Sequence, residues 1–146
     1  MRIFRYLDQA GSMGFGRFDE QGQTYLIVKK EDGDFESTDQ LITPFQLLTP
    51  IDFRCIYAIG LNYRCHAEET GMKIPDHPMV FMKAPTSIQN PGDPGVLPRF
   101  LRSDKVDFEG ELGVVMGRPC KNVTPQEALS YVLGYTCVND VSARDW

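Results

Sequence analysis

Two glutamates one residue apart, Glu109 and Glu111, lie inside an otherwise largely apolar segment at residues 106–116. If this segment is a strand, both carboxylates leave the same side of the sheet, because residues two apart share a face. Two such charges roughly 6–7 Å apart repel each other by about 2.5 kcal/mol at an effective dielectric constant of about 20. A divalent cation is the simplest compensation, because carboxylate oxygens suit Mg²⁺, Mn²⁺ or Ca²⁺. The alternative is that both glutamates face water on a half-exposed strand.

A third acidic residue follows a second predicted strand. Residues 134–139 have the composition of a buried strand, and Asp140 comes directly after them, so its side chain is expected to project from the strand end. Ser142 and Asp145 then have the spacing of a helix N-cap and its acidic partner. The alternative for Asp140 is an ordinary turn aspartate.

A histidine and a glutamate have the spacing of neighbours on a helix. A short helix is predicted over residues 62–70, with Gly71 as its C-terminal cap. His66 and Glu69 then share a face, and a carboxylate beside an imidazole orients the ring and raises its basicity. This is the arrangement that a general base needs, although a surface histidine is the alternative. His77 lies between turn-forming residues and is predicted in a loop.

Four segments, in this order and spacing, resemble the signature blocks of the fumarylacetoacetate hydrolase family: residues 55–66, 80–83, 108–112 and 139–146. The resemblance covers about residues 51–146. It implies that Glu109, Glu111 and Asp140 ligate Mg²⁺ or Mn²⁺. It also implies that His66, with Glu69, activates water, and that Lys83 and Arg144 hold an anionic substrate.

The resemblance also implies a fold and an assembly. We expect an α+β, predominantly β fold with a mixed sheet in a roll or partly open barrel, preceded by a small β-rich domain at residues 1–50. Residues 51–146 then form the N-terminal part of the catalytic domain. Family members are usually longer, so this chain is expected to be a fragment. The implied assembly is a homodimer.

The function implied by the resemblance is hydrolysis of a carbon–carbon bond in 2,4-dioxo acids such as acylpyruvate or fumarylpyruvate. His66 and Glu69 would activate the water, and the metal would stabilise the resulting enolate. Decarboxylation of oxaloacetate, or isomerisation or hydration of unsaturated oxo-dioates, are alternatives within the family. A different alternative is a non-enzymatic association domain or an inactive fragment.

Composition limits the partners and the compartment. The chain is 42% hydrophobic and 24% charged and carries a formal net charge of −5, which argues against broad binding to nucleic acid or to anionic membranes. No apolar run approaches the roughly 20 residues of a membrane span, and a signal-peptide core is not evident, so a cytoplasmic protein is expected. Its cysteines are predicted to be reduced thiols in or near the core: Cys55, Cys65, Cys120 and Cys137.

The remaining elements follow from pattern. Short strands are predicted at residues 2–6, 13–18 and 23–29, with a hairpin turn at Asp32 and Gly33. Residues 43–50 indicate a connection with a helical turn, and residues 55–61 a strand buried on both faces. A strand is predicted at residues 79–82, ending at Lys83, and a helix is predicted over residues 124–134, opening with a capping box at Thr124 and Glu127.

Overall fold

The computed structural model describes residues 1–30 and 33–146, and within these ranges the regular secondary structure is mostly strand with few helices. The sheets are open in the described ranges, and the predicted predominantly β fold class is confirmed. The strands are β1 (Ile3–Leu7), β2 (Met13–Phe18), β3 (Thr24–Lys29), β4 (Phe35–Leu41), β5 (Gln46–Leu48), β6 (Ile56–Gly60), β7 (Met79–Lys83), β8 (Val106–Asp107), β9 (Gly110–Met116), β10 (Val132–Asn139) and β11 (Ser142–Ala143). The helices are α1 (Arg64–Thr70) and α2 (Pro125–Ala128), with 3₁₀ turns at Pro85–Ser87 and Leu129–Tyr131.

The chain forms two compact units, Met1–Gly95 and Val96–Trp146. The predicted domain boundary near residue 50 stays a prediction. In the described part of the chain, none of the helices is long and apolar enough to cross a membrane.

A five-stranded antiparallel sheet in the order β4-β3-β2-β1-β5 forms the first part of the first unit. Phe4, Tyr6 and Ile27 are its buried apolar side chains. The three predicted strands at the N-terminus are confirmed, but β4 was not predicted because its sequence lacks apolar alternation. Asp32, half of the predicted hairpin turn, lies outside the described residues.

The predicted helical turn within residues 43–50 is wrong. Gln46–Leu48 is instead strand β5, which pairs with the edge of β1 so that Leu48 lies opposite Arg5. The unpaired edge of β1 offers backbone hydrogen-bonding groups along its length, and an extended segment satisfies more of them than a helical turn can.

Strands β6 and β7 form an antiparallel pair, and helix α1 lies between them in the chain. Gly71 ends α1 in the left-handed conformation with φ 66°, as predicted. Burial of the β6 strand on both faces is not observed. Tyr57 is 64% exposed, and in the described part of the chain β6 has β7 as its one hydrogen-bonded neighbour.

Two narrow antiparallel pairs, β9 with β10 and β8 with β11, form the sheets of the second unit. The predicted continuous strand at residues 106–116 is therefore wrong at Phe108 and Glu109, where the chain passes from one pair to the other. Asp140 and Val141 are the corresponding positions between β10 and β11.

Two helix predictions in this unit need correction. The capping box of Thr124 and Glu127 is confirmed, but α2 is short and the chain is already in strand β10 at Val132. Ser142 does not cap a helix, because it lies in β11 opposite Asp107. Asp145 instead accepts a hydrogen bond from the Oγ of Ser103 at 2.5 Å.

The four cysteines are exposed, so their predicted position in or near the core is wrong: Cys55, Cys65, Cys120 and Cys137. Cys137 lies on β10, Cys65 on α1 and the other two in loops, at the surface of units with few fully covered side chains.

Candidate metal centre

Three carboxylates converge in the second unit. Glu109, Glu111 and Asp140 each offer one oxygen, and these oxygens all lie within 4.8 Å of one another. The two glutamates are half-buried, and Asp140 is the one buried charged residue among the described residues, with 8% of its surface exposed. The family resemblance implied this set of ligands, and the structure brings all three residues together.

The backbone brings the cluster together at the point where the chain changes sheets. The backbone N–H of Asp140 donates to the carbonyl of Glu109 at 2.9 Å. The backbone N–H of Glu109 in turn donates to Oδ1 of Asn139 at 3.1 Å. Glu111 lies in β9 opposite Val138 of β10. The two glutamates therefore meet Asp140 through a junction between strands, rather than through the regular alternation of a single strand.

The chemistry of the donor set fits a hard divalent cation. All three side chains supply carboxylate oxygens, which suit Mg²⁺, Mn²⁺ or Ca²⁺ better than metals that prefer thiolate. Three like charges this close repel one another, and burial of Asp140 reduces their screening by water. A positive charge is therefore needed to stabilise the cluster.

Arg144 supplies part of that positive charge. Its Nη2 lies 2.6 Å from Oε1 of Glu109, and its Nε and Nη2 lie 3.2 and 3.1 Å from Oδ2 of Asp107. Hydrogen bonds to Asp107 and then to Glu109 raise the pKa of the Arg144 guanidinium above its ordinary value. Arg144 thus contacts two carboxylates of the chain itself, and its predicted contact with a substrate stays a prediction.

The predicted general base, His66, and its partner Glu69 lie on helix α1 of the first unit. The Nδ1 of His66 is 4.0 Å from Oε2 of Glu69, which is longer than a hydrogen bond. The side chain of His66 is 35% exposed and that of Glu69 is 82% exposed. The helix spacing therefore places the two residues together as expected.

Lys83 ends strand β7, as predicted, and is half-buried. Its ammonium lies 5.5 Å from the centroid of the Phe81 ring, within the range of a cation–π contact. His66, Glu69 and Lys83 belong to the unit Met1–Gly95, whereas the acidic cluster belongs to Val96–Trp146.

Two residues of the site were not predicted. Asn139 binds the backbone of Glu109, and Asp107 binds Arg144. Asp107 had a detectable signal, because it lies two residues before Glu109 and continues the same alternation of acidic side chains. Asn139 gave no comparable signal, since its contact depends on pairing between distant segments.

Comparison with known proteins identifies the family. The model of the fumarylacetoacetate (FAA) hydrolase C-terminal domain matches residues 55–146. An uncharacterized protein of Archaeoglobus fulgidus is 42% identical over 133 residues, which cover 89% of this chain and 52% of that protein. A 2,4-didehydro-3-deoxy-L-rhamnonate hydrolase of Sphingomonas sp. is 54% identical over 89 residues, covering 61% of this chain and 30% of the relative.

The solved structures agree with these relatives. The crystal structure of a 5-carboxymethyl-2-hydroxymuconate delta-isomerase from Mycobacterium smegmatis matches with a TM-score of 0.79 and 36% identity, covering 99% of this chain and 56% of the other. This chain spans about half the length of the Archaeoglobus relative and about a third of the Sphingomonas relative. The predicted fold type is confirmed by the structural match. Because the family model matches well over half of the residues of this chain, the chain belongs to the fumarylacetoacetate hydrolase family.

Proposed function

We propose that this protein is a divalent-metal-dependent hydrolase that cleaves a carbon–carbon bond in 2,4-dioxo acids of the acylpyruvate or fumarylpyruvate type. The observation that carries the proposal is the convergence of three carboxylate oxygens, from Glu109, Glu111 and Asp140, within 4.8 Å. Membership of the family and the hydrolase name of the Sphingomonas relative support it. This activity is proposed for the whole protein, since the chain spans about half the length of the Archaeoglobus relative.

Glu109, Glu111 and Asp140 would hold Mg²⁺ or Mn²⁺, because their carboxylate oxygens fit a hard cation. When bound, such an ion supplies positive charge that stabilises negative charge developing on the substrate oxygens. The buried position of Asp140 strengthens its attraction for a cation, since water screens it less.

His66 is proposed as the general base and Glu69 as the residue that orients it. Oε2 of Glu69 lies 4.0 Å from Nδ1 of the imidazole, and shortening of this contact to a hydrogen bond would leave Nε2 as the nitrogen that takes a proton from water. The hydroxide attacks the distal carbonyl carbon of the dioxo acid. The bond from that carbon to the neighbouring methylene carbon then breaks, and the methylene carbon takes up the electron pair and a proton. The products are a carboxylic acid and a 2-oxo acid.

Lys83 and Arg144 are proposed to orient the carboxylate of the substrate. Arg144 already contacts Asp107 and Glu109, so a substrate carboxylate has to share or replace one of these contacts. The guanidinium has five N–H donors, enough to serve more than one carboxylate at once.

We also propose that the whole protein is a homodimer, which light scattering on the purified protein tests directly.

A second candidate reaction is the isomerisation of an unsaturated oxo-dioate. The observation that favours it is the structural match to an isomerase, which covers nearly all of this chain. Isomerisation moves a proton between two carbons and needs no attacking water, so the same imidazole could transfer that proton. Decarboxylation and hydration would use the same acidic cluster with other oxo acids.

The test is a calorimetric titration with Mn²⁺, followed by assays with three substrates. Saturable binding that is lost in Glu111→Gln is the expected result. Incubation of the whole protein with an acylpyruvate, oxaloacetate and an unsaturated oxo-dioate then separates hydrolysis, decarboxylation and isomerisation by their products. Metal binding with no turnover of any of these substrates would contradict the enzymatic proposal and favour an association domain.

A further inference from the structure

Asp107 contacts Arg144 but has no part in the mechanism proposed above. Two nitrogens of Arg144, Nε and Nη2, point to the single oxygen Oδ2 of Asp107, and Nη2 also reaches Oε1 of Glu109. We propose that Asp107 is a positioning residue that shares the guanidinium of Arg144 with Glu109 and so limits how fully Arg144 pairs with Glu109. The importance of this contact for metal binding rests on the proposed function, whereas the contact itself does not.

The pairing of β8 with β11 explains why these side chains meet. Asp107 lies opposite Ser142 in the antiparallel register, so Arg144, two residues beyond Ser142, is its diagonal neighbour. Side chains at diagonal positions point to the same face, and a long side chain spans the distance between them. Glu109, two residues after Asp107, lies near the same guanidinium after the chain has left β8.

The backbone around this contact is anchored on both sides. The N–H of Arg144 donates to the carbonyl of Lys105 at 2.9 Å. Ser103 donates to Asp145 at 2.5 Å, and the indole N–H of Trp146 donates to the carbonyl of Arg102 at 3.2 Å. The segments that carry Asp107 and Arg144 are therefore held together independently of the two side chains.

The division of one positive charge between two carboxylates has a consequence for the acidic cluster. The guanidinium of Arg144 is shared between Asp107 and Glu109, and its Nε donates to Asp107. Without that acceptor, Arg144 can turn fully towards Glu109 and compete with a cation for the same carboxylate. Asp107 therefore keeps the carboxylate of Glu109 available to a cation while Arg144 remains beside Glu109.

The first test needs no metal. In ¹H–¹⁵N spectra of the metal-free 146-residue chain, the Nε–H signal of Arg144, assigned by its loss in Arg144→Lys, should exchange slowly with water. Asp107→Asn should make the exchange as fast as that of exposed arginines, while Asp104→Asn, a matched loss of charge nearby, should not. Asp107→Glu, which keeps a carboxylate acceptor, should retain part of the protection. An unchanged signal in folded Asp107→Asn would overturn the proposal.

The second test asks whether the contact reaches the metal site. Asp107→Asn should weaken Mn²⁺ binding by about tenfold, which is within the range for partners of metal ligands. In an Arg144→Ala background the same change should have no effect beyond that of Asp104→Asn. Additive effects of the two substitutions would overturn the positioning role. A whole protein that binds no Mn²⁺ would contradict the proposed function, while slow exchange at Arg144 would still support the contact.

Discussion

The carbonyl of Glu109 accepts the backbone N–H of Asp140 at 2.9 Å, and this hydrogen bond joins the two points at which the chain changes sheets. Glu109 follows β8 and Asp140 follows β10. The bond therefore aligns two carboxylates that are distant in sequence, using groups that do not belong to either side chain. The geometry of the acidic cluster depends on the backbone as much as on its acidic residues.

Glu111→Gln should abolish the binding of Mn²⁺. The substitution keeps the size of the side chain but removes a charged oxygen from a cluster of three. Calorimetric titration measures the change, with Glu68→Gln, an exposed position on α1, as the control that loses the same charge. Equal Mn²⁺ affinity in wild type and Glu111→Gln would rule out Glu111 as a ligand.

His66→Ala should retain Mn²⁺ binding but lower kcat by about 10²–10⁴-fold in the whole protein, the usual contribution of a general base. The metal donors and the imidazole are separate side chains, so the two properties should separate. His77→Ala, in a loop, is the matched control. Turnover near the wild-type rate in His66→Ala would place the base elsewhere.

Mn²⁺ should raise the thermal stability of the chain. A ligand that binds the folded state alone adds about 2.7 kcal/mol when its concentration is 100 times its Kd. Differential scanning calorimetry at increasing Mn²⁺ should show a Tm that rises in wild type and stays constant in Glu111→Gln. The same rise in both proteins would indicate that the ion binds outside the acidic cluster.

Gly113→Ala should destabilise the β9–β10 pair by about 1–3 kcal/mol, the usual cost of overpacking. A Cβ at Gly113 would lie 2.7 Å from Cγ2 of Val138 and 2.9 Å from Cγ2 of Thr136. Gly134→Ala is the control, because among residues 1–30 and 33–146 no heavy atom beyond its two chain neighbours lies within 4 Å of its added Cβ. Urea unfolding compares the variants, and equal stability of the two would contradict the packing argument.

Asp145→Asn should flatten the acid side of the stability curve. The hydrogen bond from Ser103 lowers the pKa of Asp145 below its ordinary value of 3.8. A carboxylate with a lowered folded pKa stabilises the protein above its unfolded pKa, and the contribution is lost as pH falls through the lower folded pKa. Unfolding measured at and below about pH 4 should therefore depend less on pH in the variant.

Ser103→Ala provides the control for this prediction. It removes the hydrogen bond that lowers the pKa of Asp145, so it should flatten the same part of the curve. The double variant should resemble either single variant. Independent, additive changes would show that the acid dependence has another source.

Local patterns predicted the elements whose signals are contained in a short segment. Gly71 ends α1 as expected, and the Thr124 capping box forms where its spacing placed it. The spacing of Glu109 and Glu111 pointed to a paired acidic site and the family resemblance added Asp140, but the strand proposed to carry both glutamates is broken at Glu109. That break results from pairing of β8 with β11 and of β9 with β10, which no local pattern reveals.

Long-range pairing also accounts for two further errors. Strand β5 exists because the edge of β1 is available to it, and Ser142 is extended because β8 lies opposite. Both segments carry turn or cap signals that isolated peptides would follow. Tertiary hydrogen bonding therefore outweighs local preference at these positions.

Phe108 and Val141 lie where the chain passes from one strand pair to the other, and their side chains are 77% and 52% exposed. The hydrogen bond between Glu109 and Asp140 uses backbone groups, so it does not depend on which apolar side chains stand beside it. Replacement of Phe108 or Val141 would alter the surface next to the acidic cluster while its alignment persists. Evolution can therefore diversify what approaches this cluster without rebuilding it.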